Sequence, residues 1–366
     1  TYTGKRSGQF EIDYATQVTK LADYSAIPVE LSSSYEVTDD SENEYLTSIL
    51  TTYGADAYKQ VTDRDTVEES DYVKVDYTGY QNGEAFDGGS ATGVLLDVAG
   101  NSQVGGTSFI EGFTKPVIGA KVGDTVQGDV TFPDDYSQSS LAGQTVTFEY
   151  TIDGIYSKDP VTLADLTDEQ VNTVFGSKAG VTTVADLKTQ IEKDLQQNQY
   201  SAEVDQIKQY MIDNSDVTIP DDYFAARLNE YEESFKKDNL SDGQTLDDYL
   251  STNYNMTADD ARDKWKENLT DQIKVEFIFG LIAEKEGIEM DEDTYNSYIS
   301  YIVSASNGQM ADDNAVYEYF GSGHADEGEK YLKAQFLVNR ALDSVADNAK
   351  VTFEDTSSDS TQTQEN

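Results

Sequence analysis

No cysteine occurs among the 366 residues. Disulfides, thiolate nucleophiles and Cys-based zinc sites are therefore excluded. Histidine is nearly absent as well. His324, in Gly321-Ser-Gly-His-Ala-Asp326, is the only one, and neither a catalytic nor a metal role is read for it. Five prolines and 26 glycines are few interruptions, so regular elements should be long. Basic residues are scarce, 25 against 70 acidic ones, giving a net charge of −45. Such a field repels nucleic acid and anionic membrane surfaces. It reads as a solubility device, with a preference for basic partner segments as the alternative. No apolar run approaches the ~20 residues that span a bilayer. Gly105-Gly106 carries no Walker or dinucleotide pattern around it. Asp291-Glu-Asp293 is too short for an EF-hand loop and lacks its central glycine; it reads as the cap of a helix starting near Thr294. No cofactor or metal is expected.

Hydrophobic residues make up 37%, with 25 Tyr and 14 Phe, which is enough for real cores. At about 100–200 residues per domain, the length suggests two or three domains. Residues 1–27 are polar and give no clear periodicity. A helix is expected over Thr38–Tyr53, with Tyr45, Leu46, Ile49, Leu50 and Tyr53 on one face. The charged stretch Val61–Ser70 reads as a linker. From Tyr72 the pattern changes to period two, with Val73, Val75 and Tyr77 alternating with polar residues. Gln81-Asn82-Gly83 marks a turn. Short strands should follow at Val94–Val98, Thr125–Phe132 and Thr145–Ile155, in a small β-rich domain of about ninety residues.

After Lys158 the pattern is helical. Thr183-Val-Ala-Asp186 fits a capping box, and Ile219-Pro220 opens a helix striped by Phe224, Leu228, Tyr231 and Phe235. Thr257-Ala-Asp-Asp260 caps the longest helix, along which Trp265, Leu269, Ile273, Phe277 and Leu281 repeat every four residues. Glu286-Gly287 stops it. Further helices are expected at Asp293–Ser304, Ala315–Phe320 and Glu327–Ala349. The last residues, 354–366, hold only Glu, Asp, Ser, Thr, Gln and Asn and should be disordered.

The β-rich region carries ordered sequence blocks. They are Val75-Asp-Tyr-Thr-Gly79, Asn82-Gly-Glu-Ala-Phe-Asp-Gly-Gly89, Phe109-Ile-Glu-Gly-Phe113, Val117-Ile-Gly-Ala-Lys-Val-Gly-Asp124, Phe132-Pro-Asp-Asp-Tyr136, Leu141-Ala-Gly143 and Val146-Thr-Phe148. In this order and spacing they resemble FKBP-type peptidyl-prolyl isomerase domains, in the variant found in trigger factors. The resemblance implies that Tyr77, Phe86 and Asp87 line a pocket and that Ile110 offers its backbone N–H to a substrate carbonyl. It implies that Phe113 forms the floor, where many FKBP-type domains carry Trp. It places Tyr136 in the rim loop and Phe148 on the closing strand. Val94 and Leu96 occupy the strand where the family often has a pocket Phe, and Phe109 adjoins the same site. Asp87 would hold a neighbouring hydroxyl and polarise the pocket. Phe86, Phe113 and Phe148 can also be read as plain barrel core, Asp87 as a turn cap and Tyr136 as a loop staple.

The likeness continues beyond Tyr156. Thr162-Leu-Ala-Asp-Leu-Thr-Asp-Glu169, Val184-Ala-Asp-Leu187, Val217-Thr-Ile-Pro220, Ile282-Ala-Glu-Lys-Glu-Gly-Ile288 and Tyr331–Val351 resemble the trigger factor C-terminal domain. The expected fold is α+β and multidomain: an FKBP-like curved antiparallel sheet with a short helix, inserted in an all-α helical body. Residues 1–27 would be disordered or anchor-proximal, 28–68 would pack with the body, 69–157 form the isomerase domain and 158–353 the chaperone domain. The Gly-Phe-Arg-x-Gly-Lys-x-Pro loop of ribosome-binding trigger factors does not occur. With the acidic charge, this implies a relative acting without ribosome or nucleic acid. The start at Thr1-Tyr-Thr-Gly4, without Met, fits a trimmed N-terminus and an extracytoplasmic, cell-surface lipoprotein, membrane-bound only through a lost lipid anchor, with the cytoplasm as the alternative setting. The implied activity is prolyl cis–trans isomerisation plus chaperoning of unfolded, proline-containing polypeptides, exported ones above all. An inactive client-binding or surface-interaction protein is the alternative.

Overall fold

The computed structural model describes Tyr2 and residues 4–50 and 55–355. Along the chain run α1 (Tyr14–Gln17), β1 (Val18–Lys20), β2 (Pro28–Leu31), α2 (Asp39–Leu50), β3 (Tyr58–Gln60), β4 (Tyr72–Gln81) and β5 (Glu84–Asp97). Then come β6 (Ser102–Gln103), β7 (Thr125–Thr131), β8 (Thr145–Pro160), α3 (Asp168–Ala179), α4 (Val184–Asn214) and β9 (Asp216–Val217). The remainder is α5 (Asp221–Asn239), α6 (Leu246–Tyr254), α7 (Ala258–Lys285), α8 (Glu292–Ala305), α9 (Asp313–Phe320), α10 (Ala325–Asp347) and β10 (Lys350–Phe353). The chain divides into two units, residues 34–198 and residues 1–33 with 199–366. The boundary falls inside α4. Tyr53 and residues 356–366, the bulk of the tail expected to be disordered, lie outside the described residues.

In the unit of residues 34–198, β3, β8, β4, β5 and β6 form an antiparallel sheet in that order, and β7 pairs with β8. The β4–β5 hairpin turns at Asn82 and Gly83, with φ of 53° and 83°. These two left-handed residues give the turn whose twist suits a two-residue hairpin. The sheet's buried face carries Val73, Val75, Leu96, Val130, Phe148, Tyr150 and Ile152. The segment expected to be a linker is folded onto this domain. Val67 is buried, and Arg64 donates to both carboxylate oxygens of the buried Asp71 at 2.7 and 2.5 Å. A short 3-10 turn, Lys115–Val117, stands where the short helix was expected. A second core joins Leu46 and Leu50 of α2, Val171 and Phe175 of α3, and Leu187 and Ile191 of α4.

The other unit is mainly helical. Its central element is α7, which is buried from Glu276 to Ala283 without a break. Capping follows the sequence: the Thr257 hydroxyl accepts from Asp260 N–H, and Asp291 accepts from Thr294 N–H at 2.7 Å. Residues 1–27 were expected to be disordered or anchor-proximal; those described are instead structural. Val18, Ala22 and Ile27 are core residues, β1 pairs with β9, and the Ile27 carbonyl accepts from Lys350 N–H at 2.8 Å just before β2 runs parallel to β10. Tyr14 covers Gly280, where a Cβ would approach its ring to 2.5 Å. This is a physical reason for a glycine inside a helix, where it otherwise costs about 1 kcal/mol. The last helix stops at Asp347, and 350–353 extend as β10 because Ala349-Lys-Val351 continues into a strand pairing with β2.

Inside this unit Arg227 forms a two-bond ion pair with Glu276, at 2.6 and 3.0 Å, and both are buried. Nearer the surface, Glu232 accepts from Arg262 at 2.8 and 2.9 Å and pairs with Lys236 at 2.9 Å. These partners pull the Glu232 carboxyl from its ordinary 4.5 down to about 2. A carboxyl depressed on folding stabilises above its unfolded value and ceases to do so as pH falls through the folded one. We expect Glu232→Gln to flatten the loss of thermal stability between about pH 4.5 and pH 2, measured as Tm against pH; an acid limb identical to the parent's would contradict this.

Candidate functional site

The site is assembled from strand register. Tyr77 of β4 stands opposite Tyr150 of β8, and Gly79 opposite Phe148. Residues directly opposed in an antiparallel pair share a face, so alternate positions of both strands put their rings on the buried side. Phe86 arrives from β5. Its ring lies over bare backbone: a Cβ at Gly79 would come within 2.6 Å of it, and one at Gly89 within 2.5 Å. The 108–114 loop brings Phe109, Ile110 and Phe113, and the loop after β7 brings Phe132 and Tyr136.

The rings form one connected cluster. Tyr77 meets Phe113 edge-on at 5.0 Å, Phe148 at 6.0 Å and Phe109 at 6.4 Å between centroids. Phe109 stacks on Phe113 at 4.2 Å. Phe148 links Phe113, at 4.9 Å, to Phe86, at 5.9 Å. Phe132 joins Phe86 to Tyr136, at 6.2 and 4.6 Å. Phe113, Phe132, Phe148 and Tyr150 are buried, whereas Tyr77, Phe86, Phe109, Ile110, Tyr136 and Val94 are half-buried. The half-buried members thus give the cluster an accessible apolar edge. Burial raises the Tyr77 hydroxyl pKa above its usual value, and that of Tyr150 further.

The loop backbone is pinned at several points. Tyr150 donates its hydroxyl proton to the Phe113 carbonyl at 2.5 Å. The Asn101 side chain donates to the Phe109 and Ile110 carbonyls at 3.2 and 2.9 Å and accepts from Thr114 N–H at 3.0 Å. Ile110 N–H donates to no group among the described residues. One free amide N–H therefore sits at the edge of an aromatic cluster.

Two expected site residues fall elsewhere. Leu96 is fully buried in the sheet core: it stands opposite Val73, which stands opposite Ile155, and both partners are fully buried as well. Asp87 is exposed, and its side chain makes no hydrogen bond among the described residues, neither holding a hydroxyl nor capping the turn. It lies in the register shift between the Tyr80–Ala85 and Thr78–Ser90 pairs, next to Gly88 with a φ of 78°. The residues that sequence reasoning missed are Tyr150, Phe132 and Asn101. The alternation Val146, Phe148, Tyr150, Ile152 was a signal for the first; Asn101 gave none beyond its place next to Gly100.

Residues 63–153 match the family model of FKBP-type peptidyl-prolyl cis-trans isomerase, and residues 183–347 that of the bacterial trigger factor protein C-terminus. In these two segments the chain resembles trigger factors. The trigger factor of Bacillus cytotoxicus is 27% identical over 338 residues, which cover 90% of this chain and 72% of its own. That of Agathobacter rectalis is 29% identical over 294 residues, 79% of this chain and 61% of its own. A solved structure of the trigger factor chaperone is 17% identical, covers 90% of this chain and 72% of its own, and has a TM-score of 0.42.

A concavity lies in the unit of residues 1–33 and 199–366. It measures about 310 Å³ and is walled by Phe10, Tyr14, Tyr223, Phe277, Phe320 and Tyr331. Arg227 and Glu276 lie at its base and satisfy each other. Tyr231, Tyr319 and Phe320, at its mouth, are exposed. The segment before α1 is fastened along it by Arg6 to Glu327, Ser7 to Glu230 and Lys330 to Glu11. No helix among the described residues is long and apolar enough to cross a membrane.

Proposed function

We propose that the aromatic site catalyses cis–trans isomerisation of Xaa-Pro bonds and that the helical unit holds unfolded clients while it does so. The observation that carries the first part is the unpaired Ile110 N–H beside Tyr77, Phe109 and Phe113. The barrier of ~18–20 kcal/mol comes from amide resonance, and no nucleophile or base is needed to lower it. A prolyl ring against Tyr77, Phe86, Phe109 and Phe113 leaves water. The Ile110 N–H receives the carbonyl of the bound segment and fixes its orientation. A twisted amide, with its resonance broken, suits such a dry surface better than either planar form, so binding favours the transition state. Val94 and Tyr136 complete the rim. With Asp87 turned to solvent, apolar contact and one backbone donor carry the work.

A protease-coupled assay on a short Xaa-Pro peptide tests this. The chain should exceed the uncatalysed rate, and Phe86→Ala and Phe109→Ala, each at the half-buried edge, should lower kcat/KM about tenfold or more while the fold persists by circular dichroism. Rates equal to buffer for the parent chain would remove the isomerase reading and leave the alternative, a client-binding or surface-interaction protein without catalysis.

For the chaperone part, the exposed rings at the mouth of the 310 Å³ concavity offer apolar contact without sequence specificity. Linking it to the isomerase site raises the local concentration of client prolines. In an aggregation assay with a chemically denatured client, Tyr319→Ala combined with Phe320→Ala should require severalfold more chain for equal suppression. Unchanged suppression would move client binding away from this surface.

The narrower setting, extracytoplasmic and concerned with exported clients away from the ribosome, is supported by the net charge of −45, which opposes docking on ribosomal RNA. Cell fractionation should place the chain with the envelope; recovery in the cytosol would discard that setting.

A further inference from the structure

We propose that Asn101 is a positioning residue of the isomerase site, holding and polarising the peptide unit whose N–H meets the substrate. The proposal rests on the isomerase reading above and adds to it a residue outside the ring cluster. That unit is the amide between Phe109 and Ile110. Its carbonyl end accepts from Asn101 Nδ2 at 3.2 Å, and its N–H end is free. A donor on the carbonyl of an amide strengthens the same amide's N–H as a donor, because hydrogen bonds in series polarise one another.

Asn101 also fixes the plane of that amide. Nδ2 donates to the Ile110 carbonyl at 2.9 Å, Oδ1 accepts from Thr114 N–H at 3.0 Å, and the Asn101 carbonyl accepts from Phe109 N–H at 2.9 Å. The loop from Phe109 to Thr114 is thereby clasped at both ends by one residue. Only Asn, Asp or Gly suits the position easily, since its φ is 47°. Of these, only Asn supplies both a donor pair and an acceptor. Thr114 is anchored in turn, its hydroxyl donating to the Val98 carbonyl at 2.8 Å.

Two variants separate the roles. Asn101→Gly keeps the left-handed backbone and deletes the side chain. Asn101→Asp keeps the acceptor for Thr114 but turns a carboxylate oxygen toward two carbonyls. Both should lower kcat/KM on an Xaa-Pro peptide about tenfold, the size that one net hydrogen bond supports. In the 15N-labelled full chain, the Ile110 amide resonance should move when the peptide is added. In both variants that movement should shrink and the peptide Kd should rise about tenfold. Val130→Ala, in the same core but away from the loop, serves as the control for lost stability and should leave kcat/KM and the Ile110 response unchanged. Asn101 variants that match the control in both readouts overturn the proposal. A parent chain no faster than buffer would defeat the isomerase reading. The peptide titration would still judge Asn101, and an Ile110 response that is absent, or equal in parent and variants, overturns it.

Discussion

The site depends on the approach of an aromatic ring to bare main chain. Phe86 rests where side chains at 79 and 89 would collide with it, so two glycines set how far it can sink. From that depth it reaches Phe148, and through Phe148 the rings of Phe113 and Tyr77. The same packing is the core of a small sheet and the wall of a site. Core rings pack densely and hold their rotamers, which keeps the half-buried rings at the edge in fixed positions without a dedicated scaffold.

Much of this was legible in sequence because it follows short periods. Alternation at Val73, Val75 and Tyr77 marks a strand, Asn82-Gly83 marks its hairpin, and Thr257 and Asp291 mark helix starts. The ordered blocks from Val75 to Phe148 placed most of the ring cluster in advance. What escaped was register and reach. Val94 and Leu96 look equivalent in a strand, yet only one retains exposure. Asp87 lies in a register shift of its strand and is exposed. Asn101 acts through bonds to residues eight to thirteen positions onward, and no local pattern announces such a loop. Residues before Pro28 showed no periodicity because their buried members, Val18, Ala22 and Ile27, are scattered, and their backbone partners, β9 for β1 and Lys350 for Ile27, lie some 200 residues or more away.

With 25 cations among 70 acids, several Arg side chains occupy positions with structural consequence. Arg64 closes the segment before β4, Arg227 meets Glu276 in the interior, Arg262 meets Glu232 between α5 and α7, and Arg6 fastens the N-terminal segment to α10. Buried ion pairs add little net stability over apolar packing, because desolvation offsets attraction. Their geometry is what they contribute: a planar guanidinium bonded through two nitrogens tolerates few alternative arrangements.

The parallel pairing of β2 with β10 ties residue 28 to residue 350. During synthesis, residues 34–198 are complete while their host still lacks its closing strand and last helix. The inserted unit can fold first, and the helical one must wait for residues 350–353 to emerge. Contacts of such sequence separation are slow to form, and an incomplete α7 exposes the apolar surface it later buries. Until β10 is made, the Ile27 carbonyl and the strand that follows it have no backbone partner to close against.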